Sequence, residues 1–204
     1  MTVLQVLQSM LNNEQNNLKR FVNEIHPLPE DELEAFCIPW QPLTVKRKTI
    51  LTTTGETERY LYFVLEGVQR VFYIGDDLKE ATIIFSYPPS FSGVADSFLT
   101  QTPSAYYLET LTASRFLRIQ YETLQQLTTV YPEIQNLLFK ATAYALKGVL
   151  HRQIELQCYT NEEKFKTLLK RSPHILHLVP HKYIASYLGI DATNFSKLLN
   201  TVKI

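Results

Sequence analysis

The spacing of apolar residues changes twice along the chain. Over residues 1–36 apolar residues recur at roughly helical intervals, and from Trp40 to about Ile119 short runs of β-branched and aromatic residues replace them. After Tyr121 the helical period returns and continues to the end of the sequence. The pattern predicts an α+β protein in which helical segments flank a β-domain.

Four apolar runs fill the middle region, and turn signals separate them. Runs with this length and pitch are typical of an antiparallel β-sandwich or barrel. The turns are expected at Gly55, Gly67, Gly75-Asp76-Asp77 and Pro88-Pro89. The predicted strands therefore lie within residues 48–55, 59–74, 80–87 and 105–119.

A long helix is predicted to follow Pro132. It covers some 25 residues, and one of its faces carries small residues at about heptad spacing, which would let a second helix approach closely. We predict that this face is the seam of a homodimer, and packing against the β-domain is the alternative. The predicted seam residues are Leu138, Ala141, Ala145, Gly148 and Arg152.

The stretch from His181 to Leu199 has the spacing of a helix-turn-helix. Two helices that cross near a right angle need a small residue at their contact, a turn residue between them and apolar inner faces. Ala185 is the small residue, Gly189 provides the turn, and Asp191 can cap the second helix. The apolar positions are Ile184, Leu188, Ile190, Phe195 and Leu198. An ordinary αα-hairpin is the alternative.

Charge is distributed unevenly along the chain. Lys and Arg number 20 and Asp and Glu also number 20, but residues 161–204 hold seven basic and three acidic residues, which leaves 13 and 17 for the rest. A basic segment attached to an acidic body is expected when one module alone contacts phosphate. A solvated helix face would explain the charge equally well.

Several classes of protein are disfavoured by the composition. Cys37 and Cys158 are too few for a disulfide framework or an iron–sulfur cluster, and no apolar run reaches the roughly 18 residues of a membrane span. The five histidines lie outside the β-region, so a metal site on barrel strands is not expected. We therefore predict a cytoplasmic protein without a membrane partner, cofactor, metal or enzymatic activity.

Two segments of the sequence resemble the Crp/Fnr family of bacterial transcription regulators. The segment EEKFKTLLKRSPHILHLVPHKYIASYLGIDATNFSKLL is similar to the family's DNA-binding domain. The segment TGETERYLYFVLEGVQRVFY is similar to its cyclic-nucleotide-binding barrel, with Gly55, Val64, Gly67 and Arg70 on the family pattern. The resemblance covers nearly the whole chain and implies a jelly-roll barrel with flanking helices, a long dimerisation helix and a C-terminal helix-turn-helix.

The resemblance also implies domain limits and partners. It divides the chain into a sensor domain at 1–125, a dimerisation helix at 126–160 and a DNA-binding domain at 161–204. Because only seven residues follow Lys197 in this sequence, a full β-hairpin wing is not expected. The implied partners are double-stranded DNA, a second copy of the chain, RNA polymerase and an effector of unknown identity.

The effector segment departs from the family pattern. The family holds the cyclic phosphate with a Gly-Glu pair and, some ten residues on, Arg-Ser-Ala or Arg-Thr-Ala. Here Gly93 is followed by Val94, and Ser104-Ala105 is preceded by Pro103. No Lys or Arg occurs between residues 79 and 115. Because a buried phosphate without a cation is costly, we expect that cyclic AMP does not bind in the family manner.

The candidate effector pocket is therefore a set of positions without an identified ligand. The predicted pocket positions are Val64, Arg70, Phe91, Gly93, Val94, Ser104 and Ala105. The segment is rich in aromatic residues, namely Phe91, Phe98, Tyr106 and Tyr107. These aromatic side chains either fill the barrel or line a site for an apolar or aromatic effector.

The candidate DNA-binding residues lie on the outward face of the second helix and at the start of the first. They are Lys182, Ala192, Thr193, Asn194, Ser196 and Lys197. Ala192 and Thr193 stand where the best-known members carry Arg and Glu, and either could contact a thymine methyl group. The alternative function is a ligand-sensing barrel with a degenerate helix-turn-helix that acts through protein contacts.

Overall fold

The computed structural model describes residues 3–202 of the chain, and side chains from residue 13. Eight strands form two antiparallel four-stranded sheets, ordered β1-β8-β3-β6 and β2-β7-β4-β5. The predicted β-sandwich with flanking helices is confirmed. The strands are β1 Gln41–Val45, β2 Ile50–Thr52, β3 Tyr60–Glu66, β4 Gln69–Ile74, β5 Glu80–Ser86, β6 Ser90–Ser92, β7 Tyr107–Thr110 and β8 Ser114–Gln120.

The four predicted runs contain six of these strands, and the sequence pattern missed β1 and β6. Both lie at the edges of one sheet and are too short or too polar to form a run of β-branched and aromatic residues. β1 also contains Pro42, which an edge strand tolerates because one side of it needs no ladder hydrogen bond. The turn between β3 and β4 requires Gly67, whose φ is +92° and whose added Cβ would lie 2.4 Å from Ser114 Oγ.

Helices precede, interrupt and follow the sandwich. The predicted long helix is confirmed as a segment of 27 residues, and a capping box of Thr160 and Glu163 starts the helix after it. No helix within residues 3–202 has the length and apolar content needed to cross a membrane. The helices are α1 Val3–Ile25, α2 Glu30–Cys37, α3 Ala95–Thr100, α4 Tyr121–Val130, α5 Pro132–Cys158, α6 Asn161–Arg171, α7 Ile175–Leu178, α8 His181–Leu188 and α9 Ala192–Thr201.

Three apolar clusters hold the described elements together. Side chains alternate between the two faces of β3 and β8, so one face contributes to one cluster and the other face to a second cluster. Phe63 and Leu117 face the flanking helices in the helix-side core, whereas Val64 and Phe116 face the opposite sheet in the barrel core. The third cluster joins the inner faces of α6, α8 and α9 to Val68 and Leu111 of the sandwich. The domain limits at residues 125 and 160 stay predictions. The expected lack of a full β-hairpin wing also stays a prediction.

Candidate functional site

The turn between α8 and α9 has the geometry that the spacing predicts. Gly189 has a φ of +63°, and Ile190 N donates to Ala185 O at 3.0 Å across the turn. Asp191 caps α9 by accepting a hydrogen bond from Asn194 N at 2.9 Å. That bond favours the ionised carboxylate and lowers the pKa of Asp191.

The two faces of α9 differ sharply in burial. Phe195 is buried between α6 and α8, where its ring packs edge-on against Phe165 at 5.5 Å. Lys182 lies exposed in the first turn of α8. The exposed residues of α9 include all five predicted positions: Ala192, Thr193, Asn194, Ser196 and Lys197. Asn194 also donates its side-chain amide to Asp191 Oδ2 at 2.5 Å, so part of its hydrogen-bonding capacity serves the cap.

The interior of the sandwich is occupied by side chains. Val64 and Val94, two of the predicted pocket residues, are buried in the barrel core together with Val71 and Leu108. The ring of Tyr62 packs against that of Phe116 at 5.4 Å, and burial raises the pKa of the Tyr62 hydroxyl. Of the aromatic set, Tyr106 packs against this core, whereas Phe91 and Phe98 belong to the helix-side core and Tyr107 stacks on Phe72 at 5.1 Å.

A buried carboxylate, which the sequence pattern did not indicate, lies beside the predicted phosphate segment. Glu58 is 2% exposed, and its carboxylate accepts hydrogen bonds from Thr52 Oγ1, from Tyr60 N at 3.1 Å and from Val94 N at 3.4 Å. Burial raises the pKa of Glu58, and the hydrogen bonds oppose that rise. Glu58 Oε2 is also 4.0 Å from the position that a Cβ would take on Gly93. The side chain of Glu58 thus lies directly beside Gly93 and Val94 of the predicted pocket.

Three predicted pocket residues lie outside the barrel core. Phe91 faces the flanking helices, where its ring stacks on Trp40 at 5.9 Å. Arg70 points to the outer face of its sheet, since Val71 beside it points inward. Ala105 is exposed. Ser104 is buried, but its hydroxyl donates to Tyr106 O and accepts from Tyr106 N.

Arg70 connects the sandwich to the helix-turn-helix. Its Nε donates to Glu109 Oε2 and its Nη1 to Glu80 Oε2, both at 2.8 Å. The guanidinium also lies 3.7 Å from the ring centroid of Tyr183 on α8 and 3.9 Å from that of Phe72. Arg70 is 3% exposed, so its donors serve this contact rather than an effector.

Further contacts attach α8 to β5. Ser186 Oγ accepts from Thr82 N at 3.0 Å and donates to Glu80 O at 3.2 Å. The ring of Tyr187 packs on that of Phe85 at 5.1 Å. Together with the contacts of Arg70 and Tyr183, these contacts join the sandwich to α8. The sequence pattern did not predict them.

Two of the predicted seam residues also make contacts within the chain, and the seam stays a prediction. Leu138 packs against the helix-side core, and Arg152 is 9% exposed and donates to Tyr187 O and Glu155 Oε2. Although burial opposes ionisation, hydrogen bonds from Arg171 and Arg152 lower the pKa of Glu155. Ala141 is half-buried, whereas Ala145 and Gly148 are exposed.

A second face of α5 exposes large apolar side chains. Phe139 is 75% exposed and Leu146 57% exposed, at a separation of one heptad. Val149 and Leu150 follow three and four residues later and are also exposed. These four residues form what we call the apolar stripe, which is rotated around the helix from the predicted seam.

No metal centre is apparent in the part of the chain that the structure describes, where no three His, Cys, Asp or Glu side chains are grouped to hold an ion. Cys37 and Cys158 are free thiols. Burial raises the pKa of Cys37 to about 11, so its thiol stays protonated at neutral pH.

Comparison with known proteins supports the assignment of the sandwich. Residues 42–131 match the family of the cyclic nucleotide-binding domain. This range begins within β1 and ends after α4, so it contains all of the barrel core. No curated protein matches the sequence.

Solved structures with the same fold extend over most of the chain. FixK2 from Bradyrhizobium japonicum is 16% identical, with a TM-score of 0.70 over 79% of this chain and 83% of that one. CLP of Xanthomonas campestris, a c-di-GMP-responsive global regulator, is 19% identical, with a TM-score of 0.62 over 84% and 90%. A protein from Eubacterium rectale, described as a Crp/Fnr-family transcriptional regulator, is 15% identical, with a TM-score of 0.65 over 85% and 82%. Residues 42–131 thus match the cyclic nucleotide-binding domain family, and the chain is similar in fold to these solved structures.

Proposed function

We propose that this chain is a DNA-binding transcription regulator of the Crp/Fnr type that acts as a homodimer in the cytoplasm. The observation that carries the proposal is the asymmetry of α9, which buries Phe195 and exposes Thr193, Ser196 and Lys197. A helix anchored on one face and polar on the other has the form that enters a major groove. The proposal does not require any catalytic group.

The first turns of α9 would read base edges. Thr193 and Ser196 lie one turn apart on the exposed face, close to the helix N-terminus that Asp191 caps. Hydroxyl groups contact several bases, and the Thr methyl group can contact thymine. Lys182 would hold a backbone phosphate, because the first helix of the motif crosses the sugar–phosphate backbone. Lys197 would bind either a phosphate or a guanine edge.

Selection from a random DNA pool tests this assignment. We expect Thr193→Ala to select a changed motif, with each lost base contact costing roughly 1–3 kcal/mol. Lys182→Ala should weaken binding to all sequences alike and reduce the salt slope by about one unit per subunit. If Thr193→Ala selects the wild-type motif, this face of α9 does not read bases.

We propose that the apolar stripe of α5 forms the dimer seam. A two-fold axis along the helix would place two copies of α9 on the same side of a duplex, about 34 Å apart, as palindromic half-sites require. RNA polymerase would be a further partner of the DNA-bound dimer, as the resemblance implies.

We propose that the barrel does not bind cyclic AMP. Val94 and its neighbours fill the interior, and Val94 N already donates to Glu58 Oε2 and is not free for a phosphate oxygen. Calorimetric titration with cyclic AMP or cyclic GMP should therefore give no saturable heat at micromolar concentrations. Cyclic di-GMP, to which the Xanthomonas protein responds, serves as a third titrant and should behave alike. A saturable signal with any of the three would contradict the proposal.

A further inference from the structure

The turn between β1 and β2 carries three consecutive basic residues, Lys46, Arg47 and Lys48. All three are exposed. None of them forms an ion pair with an acid in the described part of the chain. Adjacent like charges repel one another, so this turn carries a local electrostatic cost that a nearby polyanion would relieve.

Hydrogen bonds fix the backbone of this turn to the buried end of β7. Lys48 N donates to Thr110 O at 2.7 Å, and Thr110 Oγ1 donates to Lys46 O at 2.7 Å. Thr49 N donates in turn to Thr110 Oγ1 at 3.0 Å, and Thr110 is fully buried. The basic side chains therefore extend from a backbone that is held in one position.

The same turn meets the start of α8. Arg47 and Lys48 line a cavity of about 220 Å³ together with Lys182 and Tyr183. The basic side chains of Arg47, Lys48 and Lys182 thus line one cavity between the sandwich and α8. The one acid in its described lining, Glu109, is already paired with Arg70.

We propose that the β1–β2 turn is a second DNA-backbone element, which binds phosphates that flank the site read by α9. The inference rests on the proposed function. Lys182 already belongs to the predicted phosphate-binding set, and Arg47 and Lys48 continue its positive surface onto the sandwich. Their exposed side chains suit a polymer that passes over the surface, because contacts to phosphate supply affinity without sequence preference.

The test compares two variants of equal charge on two lengths of DNA. Arg47→Ala/Lys48→Ala removes the turn cations, and Lys19→Ala/Arg20→Ala removes the same residue types from α1 on the helix side. Binding is measured against salt on a duplex limited to the selected motif and on one extended by about one helical turn at each end. On the long duplex the turn variant should lose about two units of salt slope per subunit relative to wild type, since each phosphate contact contributes about 0.9. On the short duplex it should match wild type, and the α1 variant should match wild type on both.

The outcomes separate this inference from the proposed function. If wild type binds neither duplex, the proposed function fails. If wild type binds both and the turn variant behaves like the α1 variant, the flanking contact is overturned and DNA binding by α9 stands. A third outcome would also overturn the flanking contact. In that outcome wild type binds inorganic phosphate saturably, the turn variant does not, and both bind the long duplex equally well. The turn would then be a site for a small anion.

Discussion

Leu146→Glu should convert the proposed homodimer to a monomer in sedimentation and lower its affinity for a palindromic site. Leu146 lies at the middle of the apolar stripe and is more than half exposed in the single chain. A two-fold seam would bury it against its own copy, so the change introduces two carboxylates that face each other. Losing two buried leucines costs about 3–6 kcal/mol, and desolvation of the charges adds to this.

The expected loss in dimer affinity is therefore at least about 10²-fold, and 10³-fold or more once the charges are included. A monomer would engage one half-site, so its preference for the palindrome over non-specific DNA should largely disappear. Because both the native and the substituted side chains are exposed in the single chain, its stability should change by less than about 1 kcal/mol.

Two matched variants show which face of α5 forms the seam. Lys147→Glu changes the next residue, which is exposed and already charged, and it should stay dimeric. Ala145→Glu tests the face that the sequence pattern predicted. If Ala145→Glu gives monomers while Leu146→Glu does not, the seam follows the small residues and the apolar stripe has another role.

Arg70→Met should lower the free energy of unfolding by about 3–5 kcal/mol, because it leaves the carboxylate of Glu109 buried without its cation. The substitution also removes the guanidinium from the ring of Tyr183, so the contact between the sandwich and α8 weakens as well. Urea denaturation should show a lower midpoint. Arg59→Met is the control, since Arg59 and Glu122 are both exposed and 3.9 Å apart, and it should cost less than about 1 kcal/mol.

The double variant Arg70→Met/Glu109→Gln distinguishes the charge from the packing. If the buried charge dominates, the double variant should regain much of the loss, because neither partner then remains as an unpaired ion. If the double variant loses as much unfolding free energy as the two single variants together, the unpaired charge is not the cause of the loss.

Elements governed by local geometry could be predicted from the sequence. The turn at Gly189, the cap at Asp191 and the inward Phe195 follow from spacing within about ten residues, and each is present. Six of the eight strands within the described residues followed from runs of β-branched and aromatic residues between turn signals. The long helix followed from its period, since nothing between Pro132 and Cys158 interrupts it.

Features that depend on distant contacts could not be predicted. Arg70 matches a family signature, yet strand alternation turns it toward α8, a segment more than 100 residues away. Arg152 has helical spacing with the predicted seam, but its donors reach Tyr187 O. Glu58 resembles any surface acid before a strand, and only the folded chain shows that it is buried beside Gly93. In each case the outcome depended on which surface a neighbouring element covers.

The predicted effector pocket departs from the family pattern in sequence and in packing. Val94 replaces the family's Glu and Pro103 replaces its Arg, which indicated that the family's ligand would not be held. The packing of Tyr62, Val64 and Phe116 supplies a physical reason, since apolar side chains occupy the interior. Val94→Ala would leave a cavity there, which provides a direct probe of whether the filled interior stabilises the sandwich.

The affinity of the wild-type chain for its selected DNA motif, measured as a function of salt, tests the central claim most directly. A regulator that binds through α9 and Lys182 should bind the motif more tightly than a scrambled duplex by at least about 10³-fold. Its logarithmic affinity should fall steeply and linearly with the logarithm of salt concentration, as counterion release requires. Equal affinity for both duplexes, a flat salt dependence or no binding would contradict the claim and favour a sensor that acts through protein contacts.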